Sequence, residues 1–361
     1  MSLCGGWMVR ADVIIFLIVL LPFNLSGQTA ESCSEEKIAR DQDETRYQIC
    51  LRMRRMQRIF ESPYVVSVHT MKGEYSGFGT GVVGKIHGQQ YIITNNHVVG
   101  EATEIFVRFS HGHEGIYTVS VVGRDPAADL ALLSIPILPR GIGSVVFGNK
   151  PYIGEEVYAL GYPYGMRSVT VGFVNALSTP AWFYFLTQTP LNPGNSGGPL
   201  FNALHEMIGF NTAIVPGAMM SFTISMEYAQ MILPRLTREK LVEHGAAGFS
   251  FADTSSLLPP FFAKNLLLYP LVEHGVMVTK IDSAAYAEKS GIRVGDLIIQ
   301  LNNVNIRNAQ ELEKKIFLDH SPEEEVVFIT KRGAQVFERK IKLIAYVSPF
   351  ARRSDPEKKE N

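Results

Sequence analysis

The stretch Asn192 to Leu200, NPGNSGGPL, constrains this chain more than any other. A serine with glycine two positions before it and at both of the next two must sit at a sharp backbone turn, because glycine takes positive φ without steric cost. Such a turn leaves the Ser196 hydroxyl exposed and faces the neighbouring N–H groups the same way. Acyl transfer needs those parts: a nucleophilic Oγ and backbone donors for an oxyanion, here Gly194 and Ser196 with Asn195 as a third candidate. A loop that merely reverses the chain uses the same residues, so the partners of the serine decide between the readings.

Upstream, Tyr91 to Val99 reads YIITNNHVV, an apolar β-rich run that breaks at Asn95 and Asn96 and delivers His97 at a strand end. Val121 to Ile135 reads VVGRDPAADLALLSI, a turn around Asp125 and Pro126 followed by Asp129 at the head of an apolar run. A carboxylate opening a buried strand is costly unless something pairs with it. The imidazole of His97 is that partner, with Asp129 fixing its tautomer and His97 taking the Ser196 proton. Asp125 competes for the role, but an Asp before Pro is a turn former. His111 and His113 flank a glycine in a polar turn and read as solvated. The three residues are 32 and 67 positions apart, so only tertiary folding brings them together.

TNNHVV, DLALL and NPGNSGGPL resemble the triad segments of the HtrA family of serine proteases, the DegP and DegS type. SGFGTGVV at Ser76, LGYPYG at Leu160, IGFNTAI at Ile208 and SFTIS at Ser221 extend the likeness over most of Pro63 to Leu236. The resemblance implies a chymotrypsin-like fold with His97 as base, Asp129 as orienter and Ser196 as nucleophile. Gly194 and Ser196 match its oxyanion-hole donors. In such folds the residue six before the serine, Pro190, lies at the base of the specificity pocket, with Ile208, Phe210, Asn211 and Thr212 in the wall strand. A small apolar pocket then implies cleavage after Val, Ala or Ile in unfolded or extended polypeptides.

The residues agree with that fold class. From Pro63 to about Arg235 the chain is a succession of short strands separated by Gly, Pro and Asn turns, the pattern of an all-β sandwich or barrel. Two β-barrels with the site between them is the economical arrangement. A total of 361 residues leaves room for a second domain. Residues 246–346 resemble a PDZ domain of α+β type, most clearly in GIRVGDLIIQLNNVNI; a structural αβ appendage is the alternative. A PDZ groove takes a peptide as an added strand and holds its terminal carboxylate on backbone N–H groups, here at the loop Ala246, Ala247, Gly248 and Phe249.

The expected layout is therefore a signal peptide or signal anchor at 1–27, an N-terminal helical segment at 28–62, the protease domain at 63–236, the PDZ domain at 246–346 and a charged, disordered tail at 347–361. Val13 to Phe23 is an apolar run of eleven residues behind Arg10, shorter than the about 20 that a spanning helix needs and suited to a secretory signal. Cleavage near Gly27 or Ala30 implies export to the periplasm; an uncleaved anchor implies a membrane tether. Loss of Cys4 with that segment leaves Cys33 and Cys50, either free or bridged in an oxidising compartment, where the closed loop stabilises by about 3 kcal/mol.

Ile49, Met53, Met56 and Phe60 mark a helical apolar stripe, either packed on the protease flank or, as the resemblance implies, in homotrimer contacts. Around Pro234 the helical pattern of Met226 to Glu243 is interrupted. A formal charge of −1 gives no electrostatic case for nucleic acid. No phosphate-binding glycine motif or metal-ligand cluster is present in the sequence, so neither cofactor nor metal is expected.

Three features depart from the family pattern. The loop Met71 to Tyr75 is short, the segment Ser178 to Trp182 is shorter than the usual sensor loop, and Gln188 stands where Asp is usual. There is no second PDZ unit. The reading is an exported, ATP-independent serine endoprotease of unfolded envelope proteins; the alternative is a non-catalytic chaperone or peptide-binding scaffold on a protease fold.

Overall fold

Leu130 to Ser134, LALLS, is apolar at four successive positions because it is a strand buried on both faces. Leu130 and Leu132 face one hydrophobic cluster, and Ala131 and Leu133 face another. Alternation of period two thus puts one strand in contact with the inside of a barrel and with the layer behind it. The same logic builds the rest of the protease part.

The computed structural model describes residues 44–347 apart from 111–114, 178–180, 215–218, 258–274 and 283–285. The apolar run at Val13, Cys33, His111, His113 and the tail from Ser348 lie outside the described residues. The chain divides into two compact units, Met1–Arg54 and Arg55–Asn361. Among the described residues no helix is long and apolar enough to cross a membrane.

Helix α1 (Glu44–Phe60) is followed by strands β1 (Val65–Lys72), β2 (Tyr75–Ile86), β3 (Gln89–Thr94), β4 (Glu104–Arg108), β5 (Ile116–Asp125) and β6 (Leu130–Ser134), which close in the order β1-β2-β3-β6-β5-β4. A short helix α2 (Asn96–Val99) interrupts the run after β3. The second barrel comprises β7 (Glu156–Gly161), β8 (Ser168–Ala176), β9 (Tyr184–Thr187), β10 (Pro199–Asn202), β11 (Met207–Ile214) and β12 (Ser221–Ser225), closed as β10-β11-β12-β9-β8-β7. The chain is mainly β, a chymotrypsin-like double barrel followed by a PDZ domain.

Helix α3 (Met226–Leu236) packs across the layer between the barrels, capped by Ser225 Oγ accepting from the Tyr228 N–H at 3.2 Å. Pro234 does not stop it at once; the helix runs two residues further because a proline in the last turn removes only one of its final hydrogen bonds.

The α1 stripe differs from the sequence expectation. Ile49 and Met53 are 55 % and 53 % exposed, whereas Ile59 is 1 % exposed and sits in the core with Met56 against it. The last turn is what holds this helix. Arg167 donates from Nε to the Phe60 carbonyl at 2.7 Å and from Nη2 to the Ser62 carbonyl at 2.6 Å, satisfying C-terminal carbonyls that lack helical partners. Cys50 is disulfide-bonded; Cys33, its expected partner, lies outside the described residues.

After α3 the chain forms β13 (Gly245–Ala246), β14 (Phe249–Asp253), β15 (Val276–Ile281), helix α4 (Tyr286–Lys289), β16 (Leu297–Leu301), β17 (Val304–Asn305), helix α5 (Ala309–Asp319), β18 (Glu325–Arg332), β19 (Gln335–Lys342) and β20 (Ile344–Ala345). The main sheet runs β14-β15-β16-β18-β19, with β14 at one edge. Asn308 caps α5 by accepting from the Glu311 N–H at 2.8 Å. Leu312 and Ile316 on α5 bury into the core of this domain, but Phe317 joins the protease core.

Phe317 stacks on His244 with ring centroids 3.8 Å apart and meets Phe183 at 5.1 Å and Trp182 at 6.3 Å. His244 Nδ1 lies 2.6 Å from the Phe317 carbonyl, and its Nε2 lies 3.2 Å from Asp125 Oδ2. Tyr228 Oη also donates to Asp125 Oδ2, and Asp125 Oδ1 accepts from the Ala128 N–H at 3.1 Å. Burial and the Asp125 carboxylate both hold the Tyr228 hydroxyl protonated, well above its ordinary pKa. Asp125, His244 and Tyr228 are all fully or almost fully buried. An anion in that position needs each of these donors.

Candidate active site

Asp129 begins β6 from a left-handed conformation, φ +64°, a region that Asp tolerates better than most side chains. It is gripped from every side. Its carbonyl accepts from Asn96 N–H at 3.1 Å and from Asn95 Nδ2 at 2.8 Å. Its Oδ1 accepts from the His97 N–H at 2.8 Å, and its Oδ2 stands 2.7 Å from His97 Nδ1. Oδ2 also accepts from Thr212 Oγ1 on β11. The carboxylate can only accept, so Nδ1 carries a proton and Nε2 is left with the lone pair that a base requires.

Burial works against the charged imidazole, but the Asp129 carboxylate, through its charge and its hydrogen bond, outweighs it and holds the His97 pKa above the ordinary value. A base must be neutral to take a proton. The acidic limb of kcat/KM is therefore expected at a pH above 6.5, the ordinary imidazole value, with activity falling as the pH drops through it. Asp129→Asn should move that limb downward, which a pH series on both proteins would read.

Ser196 approaches from the second barrel. Its Oγ donates to the Thr212 carbonyl at 3.3 Å, and among the described residues no hydrogen bond joins it to His97. Thr212 thus touches two members of the set at once, with its hydroxyl on Asp129 and its carbonyl on Ser196. The loop around the serine is possible only with glycine. A Cβ on Gly197, at φ +80°, would lie 2.3 Å from the Thr80 carbonyl, and one on Gly194, at φ +106°, would lie 2.3 Å from the Tyr162 carbonyl.

Thr80, fully buried on β2, stitches the two barrels together here. Its N–H donates to the Ser196 carbonyl at 2.9 Å, its Oγ1 donates to the Gly194 carbonyl at 2.6 Å, and the same Oγ1 accepts from the Tyr162 N–H at 3.0 Å. Thr80→Val keeps the shape and leaves a buried carbonyl and a buried N–H without partners. The expected cost is about 2–5 kcal/mol at about 1–3 per unsatisfied group, seen in urea unfolding, together with slower acylation because the serine loop loses its anchor.

The Pro193 carbonyl accepts from the Tyr164 N–H at 3.1 Å, so the planar peptide points the Gly194 N–H the opposite way. Neither the Gly194 nor the Ser196 N–H has an acceptor among the described residues. Asn195 is different. Its N–H is spent on the Asn192 carbonyl at 3.0 Å, which closes the turn and removes Asn195 from the set of expected oxyanion donors.

The expected specificity pocket needs correction at two positions. Ile208 and Phe210 are 1 % and 0 % exposed and belong to separate hydrophobic clusters. A β-bulge shifts the register between Leu200 and Phe201 on the partner strand, so Met207 and Phe210 face one side and Ile208 the other. They cannot line an open pocket. Asn211 is buried, with its Nδ2 donating to the Pro199 carbonyl at 3.2 Å. Thr212 faces the site as described, and Pro190 is exposed, its carbonyl accepting from Thr170 Oγ1 at 2.9 Å.

In the second domain, Ala246 pairs with Ile344, and Gly248 turns at φ +73° with its carbonyl accepting from the Asp282 N–H at 3.1 Å. Ala247 and Phe249 are buried. The N–H groups of Ala247 and Gly248 have no acceptor among the described residues.

Residues 79–210 match the trypsin-like peptidase domain and residues 236–329 the PDZ domain. The chain is 34 % identical over 251 residues to a probable periplasmic serine endoprotease, DegP-like, of Ectopseudomonas mendocina, covering 66 % of this chain and 50 % of that protein. A protein of the same description from Chlamydia trachomatis is 31 % identical over 272 residues, covering 72 % of this chain and 52 % of its own length. Among solved structures, the HtrA-type protease AlgW with tripeptide superposes at a TM-score of 0.65 and 25 % identity, over 80 % of this chain and 95 % of that one. The chain belongs to the HtrA family.

The serine endoprotease from Yersinia pestis gives a TM-score of 0.58 at 26 % identity, over 82 % of this chain and 97 % of that one. This HtrA chain spans about half the length of the curated relatives it matches. Thr80, the Tyr164 amide and the Asp125–His244 pair are the parts of its site that reading the residues in order did not find. Thr80 lies in a quoted motif, but nothing in SGFGTGVV distinguishes a threonine that bonds across the barrels from one on a strand surface.

Proposed function

We propose that this HtrA chain is an exported, ATP-independent serine endoprotease. Ser196 attacks the scissile carbonyl, His97 takes and returns the proton, Asp129 holds the imidazole, and the Gly194 and Ser196 N–H groups hold the oxyanion. The observation that carries this reading is the His97 Nδ1 to Asp129 Oδ2 contact at 2.7 Å, with Thr212 joining Asp129 to the Ser196 hydroxyl. Rotation of Oγ off the Thr212 carbonyl is the one change that attack requires, and alignment of this kind commonly tightens only when substrate binds.

Unfolded or extended polypeptides are its substrates, and the periplasm is where the names of its relatives place it. The open edge of β14 beside α5, with the free N–H groups of Ala247 and Gly248, suits a peptide C-terminus added as a strand. The boundaries at 63–236 and 246–346, a membrane tether through Val13–Phe23 and a homotrimer formed through the exposed Ile49, Met53 and Phe60 are part of this proposal. A monomeric mass in light scattering would remove the last.

The scaffold reading has one observation in its favour, the Ser196 hydroxyl turned onto a carbonyl and away from the base. Casein digestion and fluorophosphonate labelling of the wild type beside Ser196→Ala separate the two. Labelling and digestion that both vanish in the variant support the protease. No labelling of the wild type, with or without added peptide, supports the scaffold.

A further inference from the structure

We infer that an apolar groove on the outer face of the first barrel is a subsite for large apolar side chains on the leaving-group side of the scissile bond. This rests on the protease reading and adds a second specificity determinant to it. Strand register builds the groove. His69 is paired with Phe78 on one flank and with Phe106 on the other, so three rings lie in a row across β2, β1 and β4. Met71 and Tyr164 extend the row, and the groove encloses about 550 Å³.

A barrel's solvent face has no packing reason to carry such a row. Phe78, Met71 and Tyr164 are nevertheless 42 %, 41 % and 65 % exposed. The hairpin from β1 to β2 turns through only Gly73 and Glu74, which leaves the row uncovered. Burial first, and then the positive charge of Arg108, hold the His69 pKa below the ordinary value, so the ring is neutral and the groove carries no charge at neutral pH.

The groove is continuous with the serine loop. A Cβ on Gly194 would lie 2.6 Å from the Phe78 ring, and the Tyr164 N–H holds the Pro193 carbonyl. Both contacts fall on the Pro193–Gly194 end of the loop. The Ser196–Gly197 end is held instead by β11, through the Thr212 carbonyl and the Asn211 carbonyl. A substrate laid across the loop therefore has its acyl residue on the β11 side and its departing residues over Phe78. An extended chain advances about 3.3 Å per residue, so the first three departing residues are the ones to vary.

The test uses the full-length protein and quenched fluorescent peptides with valine before the cleaved bond and Phe, Leu, Ala or Asp at each of the next three positions. At one of them, Phe or Leu should raise kcat/KM about 10-fold or more over Ala, with Asp lowest. Phe106→Ala and Met71→Asp should each shrink that ratio to about twofold or less, the scale set by losing one pocket contact. The ratio is read within each variant, so a general loss of activity does not imitate it, and Met71 is exposed enough that its replacement leaves the fold intact. A wild type that takes fluorophosphonate and cleaves all peptides alike overturns the groove while leaving the protease reading in place. A preference unchanged in both variants overturns it too. Absence of labelling and cleavage altogether removes both.

Discussion

Asp129→Asn is expected to lower kcat/KM by about 10⁴-fold, the scale seen when the orienting carboxylate of such a triad becomes an amide. The reason lies in which atoms face Asp129. Two donors, His97 Nδ1 and Thr212 Oγ1, converge on Oδ2, while the His97 N–H occupies Oδ1. An amide has one acceptor and one donor end. With its oxygen kept on the His97 N–H, its NH₂ faces Nδ1 and selects the tautomer protonated at Nε2, which cannot take a proton from Ser196. The fluorophosphonate labelling rate would fall in parallel with peptide cleavage, while circular dichroism should be unchanged. A variant retaining a tenth or more of the activity would mean that His97 and Asp129 do not act as a pair.

His244→Phe is expected to destabilise the protein by about 3–5 kcal/mol, the usual loss when one partner of a buried ion pair is removed. The aromatic stack on Phe317 would persist, so the loss isolates the polar contacts of the imidazole. Asp125 would keep only the Tyr228 hydroxyl and the Ala128 N–H in a site closed to water. Differential scanning calorimetry should show the transition of the protease part lowered by roughly 10 °C, at about 2–4 °C per kcal/mol for a unit of this size. Adding Asp125→Asn should recover part of the loss, because it removes the uncompensated charge. Equal stability of wild type and His244→Phe would show that the pair is inert.

That pair also has a mechanical consequence. Asp125 holds the Ala128 N–H, one residue before Asp129, and His244 holds the carbonyl of Phe317 on the PDZ helix α5. Trp182, at the end of the short segment that departs from the family pattern, packs on Phe317 and lies under Lys314 Nζ at 4.5 Å. The PDZ helix is thus joined to the turn carrying the triad carboxylate through a single layer of side chains.

Much of the site was legible because its chemistry is local. NPGNSGGPL needs glycine at Gly194 and Gly197 wherever it folds, since a side chain at either would strike a carbonyl at 2.3 Å. YIITNNHVV and DLALLSI each state a strand with a polar residue at its end, and alternation placed both faces of β6 in apolar surroundings. What failed was anything that turned on a register shift or on a pairing between distant segments. Ile208 and Phe210 looked like pocket wall because period two was carried through a β-bulge that reverses it. Asn195 looked like an oxyanion donor because its bond to the Asn192 carbonyl depends on how the turn closes. Ile49 and Met53 fit a helical stripe, yet burial goes to Ile59, because Arg167, 107 positions away from Phe60, fixes the end of that helix.

The sequence by itself determined the element types, the order of His, Asp and Ser, and the two-domain layout, since these follow from side-chain period, glycine sterics and turn chemistry within a few residues. Only the tertiary structure decided which polar groups are spent and which are free. Thr80, Thr212, Asp125 and His244 acquire their roles from partners 83 to 119 residues away. A buried hydrogen bond has no signature along the chain, because burial comes from everything that closes around it.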